Sequence, residues 1–273
     1  MRLGISSYTY VWSVGVPGYP LPPQPLTALG LLQKAVELGV GVVQIADNLP
    51  LDRLDEGELG ALERCAGRLH VEIEVGTCGI EPDHLLRYLA LARRFRSPIL
   101  RVVLDSDDHR PEPDEVVATL RALLPRFESA GVCLAIENHD RFRSATLATI
   151  VNALGSPYVG ICLDTANSLG CLESLETVLA TLGRWVVNLH VKDFQVERLP
   201  HKKGFLVEGR PAGQGRLDVP GLLAEVRQRA SGRDVNAIVE LWPPPGEDPA
   251  ASVAREEAWA AESVRFLRRF LPD

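Results

Sequence analysis

Short apolar runs alternate with longer amphipathic ones along the whole chain. LGIS near the start gives way to helical spacing through LTALGLLQKAVELG. VVQIAD precedes ELGALERCAGRLH, VEIEVG precedes DHLLRYLALARRF, and ILRVVLD precedes EVVATLRALLPRFESAG. The second half keeps the rhythm, with CLAIEN before ATLATIVNALG and VGICLD before LESLETVLATLG. VVNLHV is followed, after a long interruption, by GLLAEVRQRA, and AIVEL by SVAREEAWAAESVRFLRRF. Runs this short and this rich in Val, Ile and Leu suit strands buried on both faces, as in a parallel sheet. Glycines such as Gly39 and Gly131 provide natural stops for the helices. Eight strand–helix units in 273 residues predict an α/β fold: a single-domain (β/α)8 TIM barrel over residues 1–273. An open doubly wound sheet competes, but no G-x-G-x-x-G follows the first strand.

Two stretches break the rhythm. VPGYPLPPQP, residues 16–25, is expected to be a proline-rich loop shaping one wall of the barrel mouth. Residues 194–219, carrying HKKGF and GRPAGQGRLD, are expected to form a long irregular loop of the kind that often has a function.

A chain that is 46% hydrophobic and 24% charged has ample material for one large core. The formal net charge of −7 argues against a nucleic-acid partner. No apolar run approaches membrane-spanning length, so the expectation is a cytoplasmic protein with no membrane partner. The five cysteines are scattered without a C-x-x-C, which argues against a disulfide framework or a thiolate zinc site. The expected partner is a small molecule, with a homo-oligomer allowed.

In such a barrel the chemistry sits at the C-terminal ends of the strands. The last four strands end in Glu137 (LAIENH), Asp164 (ICLDTAN), His190 (NLHVKD) and Glu240 (IVELW). Glu137 and Asp164 are separated by one β/α unit, as are Asp164 and His190; the step to Glu240 is lengthened by the interruption. Three carboxylates crowded in a dry pocket repel one another unless a cation sits among them. Oxygen ligands with one imidazole suit a single divalent ion, whether Mn2+, Mg2+, Co2+ or Zn2+. Taken singly, Asp164 could be a helix N-cap and His190 a core histidine; their coincidence on successive strands points to a metal site.

The endings IEN, LDTAN, HVKD and VELW resemble those of the xylose isomerase-like TIM barrel superfamily, which includes the AP endonuclease family 2-type domain. Its members include sugar isomerases, ketose 3-epimerases, endonuclease IV, dehydroshikimate dehydratases and sugar-acid decarboxylases. The likeness covers nearly the whole chain. In the epimerase branch it implies that the positions matching Glu137, Asp164, His190 and Glu240 bind one divalent metal. The two glutamates there also act as an acid–base pair. Asn167 departs from that branch, which places a substrate-binding histidine at this position. Endonuclease IV needs further metal-binding histidines, which a chain with six histidines is poorly equipped to supply. The pattern running from IENHDRF to VELW is also similar to a branch that includes a 3-oxo-isoapionate decarboxylase.

The expected function is therefore a divalent-metal-dependent sugar isomerase or epimerase. It would act on a small keto-sugar or sugar acid through a metal-stabilised enediolate. One alternative is a metal-dependent decarboxylase, a lyase, of a 3-oxo sugar acid such as 3-oxo-isoapionate; another is a non-catalytic sugar-binding barrel. Glu137, Glu240 and Lys192 are the catalytic candidates, Lys192 because it falls two residues past His190 on the same side of an extended strand. Tyr8, His139, Asn167, His201 and Arg210 are the substrate-binding candidates, the last two as anion-binding groups on the long loop. Asp193 is either an orienting acceptor or an ordinary loop residue. Glu74 and Arg101, both mid-strand, are expected to form an ion pair beneath the site.

Overall fold

The computed structural model describes residues 1–230 and 232–271, so residues 231, 272 and 273 of the expected domain lie outside the described residues. Eight parallel strands close into a barrel. They are β1 (Leu3–Ser6), β2 (Val42–Ile45), β3 (Glu72–Cys78), β4 (Ile99–Val103), β5 (Cys133–Glu137), β6 (Val159–Asp164), β7 (Val186–Val191) and β10 (Asn236–Val239). Each pairs with its neighbours in sequence around the ring, and β1 closes it by pairing Leu3–Ile5 with Ala237–Val239 of β10.

The helices are α1 (Val11–Val14), α2 (Ala28–Leu38), α3 (Glu56–Leu69), α4 (Pro82–Phe95), α5 (Pro113–Ala130), α6 (Ser144–Leu154), α7 (Leu175–Leu182), α8 (Val219–Arg229) and α9 (Pro249–Leu267). Side-chain oxygens of Thr27, Asp55, Ser174, Asp218 and Asp248 cap the first turns of α2, α3, α7, α8 and α9. The apolar stripes of the helices, including Leu31, Leu62, Leu85, Leu120, Ile150, Leu182, Leu223 and Val264, bury against the outward strand residues and form the main core. Inside the barrel the filling is different. A small apolar group of Ile99, Ala135 and Cys162 lies two residues before Arg101, Glu137 and Asp164 on their strands, hence on the same face. Around and above it the interior is polar: Gln44, Glu74, Arg101, Asn188, His190 and Asn236 are all buried.

Two expectations are corrected. The long loop contains an antiparallel hairpin, β8 (Asp193–Arg198) with β9 (Phe205–Arg210), which pairs only with itself. FQVER and FLVEGR are both strand-compatible, and the six residues between them turn through Lys202 and Gly204, both at positive φ. The expected Glu74–Arg101 pair is absent: Arg101 binds Glu137 and Asp47, while Glu74 receives amide donors. The strand register explains this. Arg101 lies opposite Gly76, whose missing side chain leaves room for the arginine stem, whereas Glu74 lies opposite Gln44.

Candidate metal centre and active site

Glu137 and Asp164 are the last residues of β5 and β6, His190 is the penultimate residue of β7, and Glu240 directly follows β10. The parallel register sets Asp164 opposite His190, so adjacent strands deliver adjacent side chains. His190 Nδ1 lies 3.4 Å from Glu137 Oε2, 3.4 Å from Glu240 Oε1 and 3.8 Å from Asp164 Oδ2. All four side chains are buried, and His190 Nδ1 has no hydrogen-bond partner.

An orphaned ring nitrogen facing three carboxylates fits a divalent cation, which accepts the nitrogen lone pair and offsets the crowded charge. Ligand atoms of Asp164, His190 and Glu240 lie within 4.8 Å of one another. Those of Glu137, Cys162 and His190 do so too, but Cys162 fits poorly as a ligand. Its hydrogen is directed to Asn188 Oδ1, and its sulfur sits 3.2 Å from His190 Nε2 rather than from the Nδ1 that faces the carboxylates.

Each ligand is braced. Asp164 Oδ1 accepts from the backbone N–H groups of Ala166 and Asn167, both at 2.8 Å, so it caps the following turn while Oδ2 faces the cluster. Asn138 pins the end of β6: its side chain donates to Asp164 O and accepts from Asp164 N, both at 2.8 Å. Glu137 accepts from Arg101 Nε and, at 2.8 Å, from Asn167 Nδ2. Glu240 Oε1 accepts from the Ser6 hydroxyl at 3.0 Å.

Two buried cations complete the electrostatics. Lys192 Nζ is 2.9 Å from Asp164 Oδ2 and 3.1 Å from Glu240 Oε2. Burial opposes its charge, but Asp164, Glu240 and Glu137 outweigh it and hold the ammonium protonated well above its ordinary range. Arg101 behaves alike, burial being overcome by Glu137, Asp47 and Glu240. Burial in turn would raise the Glu240 carboxyl, yet the positive charges around it, Lys192 and Arg101 among them, hold it below its ordinary value.

Glu137, Glu240, Lys192 and Arg101 line a cavity of about 870 Å3 at the C-terminal mouth, while Asp164 and His190 are not among its lining residues. Of the expected substrate contacts, Tyr8, His139 and Asn167 line it, the Tyr8 hydroxyl donating to Asp47 at 2.8 Å and His139 meeting Asp140. His201 and Arg210 are not brought to it. His201 sits exposed at the hairpin tip, where Nδ1 accepts from Lys203 N, and Arg210 is taken up by Glu197 and Glu208. The hairpin contributes Val207 to the wall instead.

Asp193 is resolved as the anchor of that hairpin. Its Oδ1 accepts from Phe194 N and Leu217 N, and its Oδ2 from Gly213 N and Gly215 N. A β-carbon at Gly215 would lie 2.1 Å from Asp193 Oδ1, so only glycine lets the loop close on the carboxylate.

Sequence reasoning missed Asp47 and Trp242 in the wall. Asp47 carried the same strand-end signal, in VVQIAD, as the metal candidates did. Trp242 stands two residues past Glu240, with Lys192 Nζ 4.9 Å from its ring centre.

The parallel eight-stranded barrel is a TIM barrel, and the chain belongs to the xylose isomerase-like TIM barrel family, whose profile matches residues 32–270. It is 34% identical over 267 residues to 3-oxo-isoapionate decarboxylase of Pectobacterium atrosepticum, covering 98% of this chain and 95% of the relative. Among solved structures it resembles a D-psicose 3-epimerase crystallised with D-fructose, with a TM-score of 0.74 and 16% identity, each chain fully covered. It also resembles the IolI protein with a bound zinc atom, with a TM-score of 0.71 and 17% identity, again over both whole chains. At these identities the two structures establish a shared fold.

Proposed function

We propose that the protein is a divalent-metal-dependent decarboxylase acting on a 3-oxo sugar acid. The observation that carries this reading is the 34% identity to 3-oxo-isoapionate decarboxylase, sustained over nearly the whole chain. The buried Lys192 ammonium beside the acidic cluster supports it. Glu137, Asp164, His190 and Glu240 are the residues that would hold the ion. When bound, it supplies Lewis-acid polarisation of a substrate oxygen.

Decarboxylation breaks the bond between the carboxylate carbon and its neighbour. CO2 leaves, and the electron pair stays behind as the enolate of the 3-oxo group. No base is needed for that step; one proton must then reach the enolate carbon. Lys192, which lines the cavity beside Asp164 and Glu240, is the group we assign to deliver it, regaining a proton from water in the cavity. Asn167 keeps both partners in place: its amide nitrogen donates to Glu137, and its oxygen lies 3.5 Å from Lys192 Nζ. Tyr8 and His139, which line the cavity, are the residues we assign to meet substrate hydroxyls.

An isomerase or epimerase is the second reading, favoured by Glu137 and Glu240 bordering one cavity as a potential acid–base pair. Incubation with keto-sugars and 3-oxo sugar acids in D2O, with each divalent metal, separates the two. Release of CO2 with deuterium in the product is expected; deuterium uptake with every carbon retained would instead establish the isomerase. No turnover under any condition would leave a sugar-binding barrel. Metal analysis of protein purified without chelator is expected to find about one divalent ion per chain.

A further inference from the structure

Beneath the metal candidates lies a buried network that the proposed reaction does not use. Glu74, on β3, is fully enclosed and meets no cation. Its Oε2 accepts from Gln44 Nε2 at 3.0 Å and from Asn188 Nδ2 at 2.9 Å, and its Oε1 from Asn236 Nδ2 at 2.7 Å. Gln44 gives its other amide hydrogen to Asn188 Oδ1 at 3.1 Å. Both of its hydrogens are thereby committed, and its carbonyl oxygen is turned to His190 Nε2, 2.8 Å away.

Only one tautomer of a neutral imidazole satisfies that contact. A carbonyl oxygen accepts and cannot donate, so Nε2 must carry the hydrogen and Nδ1 must carry the lone pair. Nδ1 is the atom that faces Glu137, Asp164 and Glu240 without a partner. The Cys162 sulfur, 3.2 Å from Nε2, does not compete, because its hydrogen is directed to Asn188 Oδ1 at 3.4 Å.

We propose that Glu74 and Gln44 are positioning residues that fix the tautomer of His190 and so prepare its Nδ1 to bind the metal. Glu74 acts through its geometry as an acceptor: Oε2 draws the donor ends of Gln44 and Asn188 toward itself, and Gln44 passes the polarity on to the ring. Turning the Gln44 amide over would set its oxygen against Glu74 Oε2 and Asn188 Oδ1, acceptor against acceptor, at two buried contacts. The proposal rests on the metal-site reading and adds to it the reason one ring nitrogen is free. Hydrogen bonds behind a metal-bound histidine commonly govern affinity by 10–100-fold.

The test uses the full chain and Zn2+ or Mn2+ alone. In the zinc-loaded wild type, 15N-resolved NMR of the His190 ring is expected to show a slowly exchanging proton on Nε2 and a metal-shifted Nδ1. Glu74→Gln brings in a donor of nearly the same shape and lets the Gln44 amide turn over. Gln44→Leu removes the acceptor altogether. Each is expected to weaken Mn2+ binding roughly 10–100-fold in titrations against a chelator, and to lose or broaden the Nε2 proton signal. Circular dichroism and unfolding midpoints report whether each variant keeps its fold; the wild-type NMR measurement needs no variant. A zinc-loaded ring with its proton on Nδ1 would overturn the proposal, as would folded variants that bind within twofold of wild type. In either case metal binding by the wild type keeps the metal reading standing. A wild type that binds neither ion removes the metal reading and this proposal with it.

Discussion

Glu74 and the Glu137–Asp164–Glu240 cluster occupy the same barrel interior and are equally buried, yet they are accommodated in different ways. Around Glu74 the protein supplies three neutral amides and no cation, and the carboxyl pKa is raised because burial outweighs those hydrogen bonds. Around the upper cluster it supplies Arg101 and Lys192, and still leaves His190 Nδ1 without a partner. The lower network satisfies both oxygens of its single carboxylate with neutral donors, though Asn236 Oδ1 itself has no partner. The upper one balances charge with charge and gathers three carboxylates around one unpartnered imidazole nitrogen. Burial of an acidic group, or one unfilled acceptor beside it, therefore does not by itself mark a site; several carboxylates converging on such a nitrogen do.

The comparison can be broken most forcefully at the upper cluster. Glu240→Gln is expected to lower turnover by roughly 10^2–10^4-fold and to reduce metal occupancy, whereas Asn236→Ala, at the lower network, leaves bound metal in place. Equal metal loss in both variants would erase the distinction. Arg101→Met leaves Glu137 and Asp47 without their buried cation and is expected to cost about 3–5 kcal/mol in urea unfolding of the metal-free protein. Added Mn2+ should recover part of that loss, because an ion bound only by the native state stabilises it.

Glu256, on α9, sharpens the comparison from outside the barrel. It is buried against Trp12 N, Ser13 N and the Ser13 hydroxyl, and burial pushes its carboxyl up to about 7. Between its unfolded value of 4.5 and about 7 the native state holds the proton more tightly, so stability is greatest below this window and falls as pH rises through it. The loss amounts to about 3 kcal/mol. Glu256→Gln should flatten that part of the pH–stability curve; an unchanged slope would show that another group sets it. The smallest effect is expected at Asp193→Ala, which frees four backbone donors: about 1–3 kcal/mol, read as faster amide exchange in the hairpin and the 213–217 loop, with metal affinity unchanged.

Much of the barrel could be read from the sequence because a buried parallel strand has a strong signature, and a charged residue ending such a run stands out. Glu137, Asp164, His190 and Glu240 were legible for that reason. Periodicity within a strand does not say which inward side chains share a layer. Glu74 and Arg101 have complementary charge, but the register sets them beside Gln44 and Gly76, and no single-chain pattern encodes that offset. The hairpin was legible in principle: FQVER and FLVEGR are strand-like, but the glycine- and charge-rich sequence between and after them suggested a loop. His201 and Arg210 carry the charge of anion-binding groups, but the sequence does not show that the hairpin holds His201 at its tip and supplies acidic partners to Arg210.

That hairpin hydrogen-bonds in a sheet only with itself and is tied to the 213–217 loop through Asp193 and Arg216, so the closed barrel does not depend on it for any strand pairing. It is in effect an interchangeable part, separable from the acidic strand ends below it. A lineage could lengthen, shorten or replace residues 194–210 and so resize the chamber, while Glu137, Asp164, His190 and Glu240 stay unchanged.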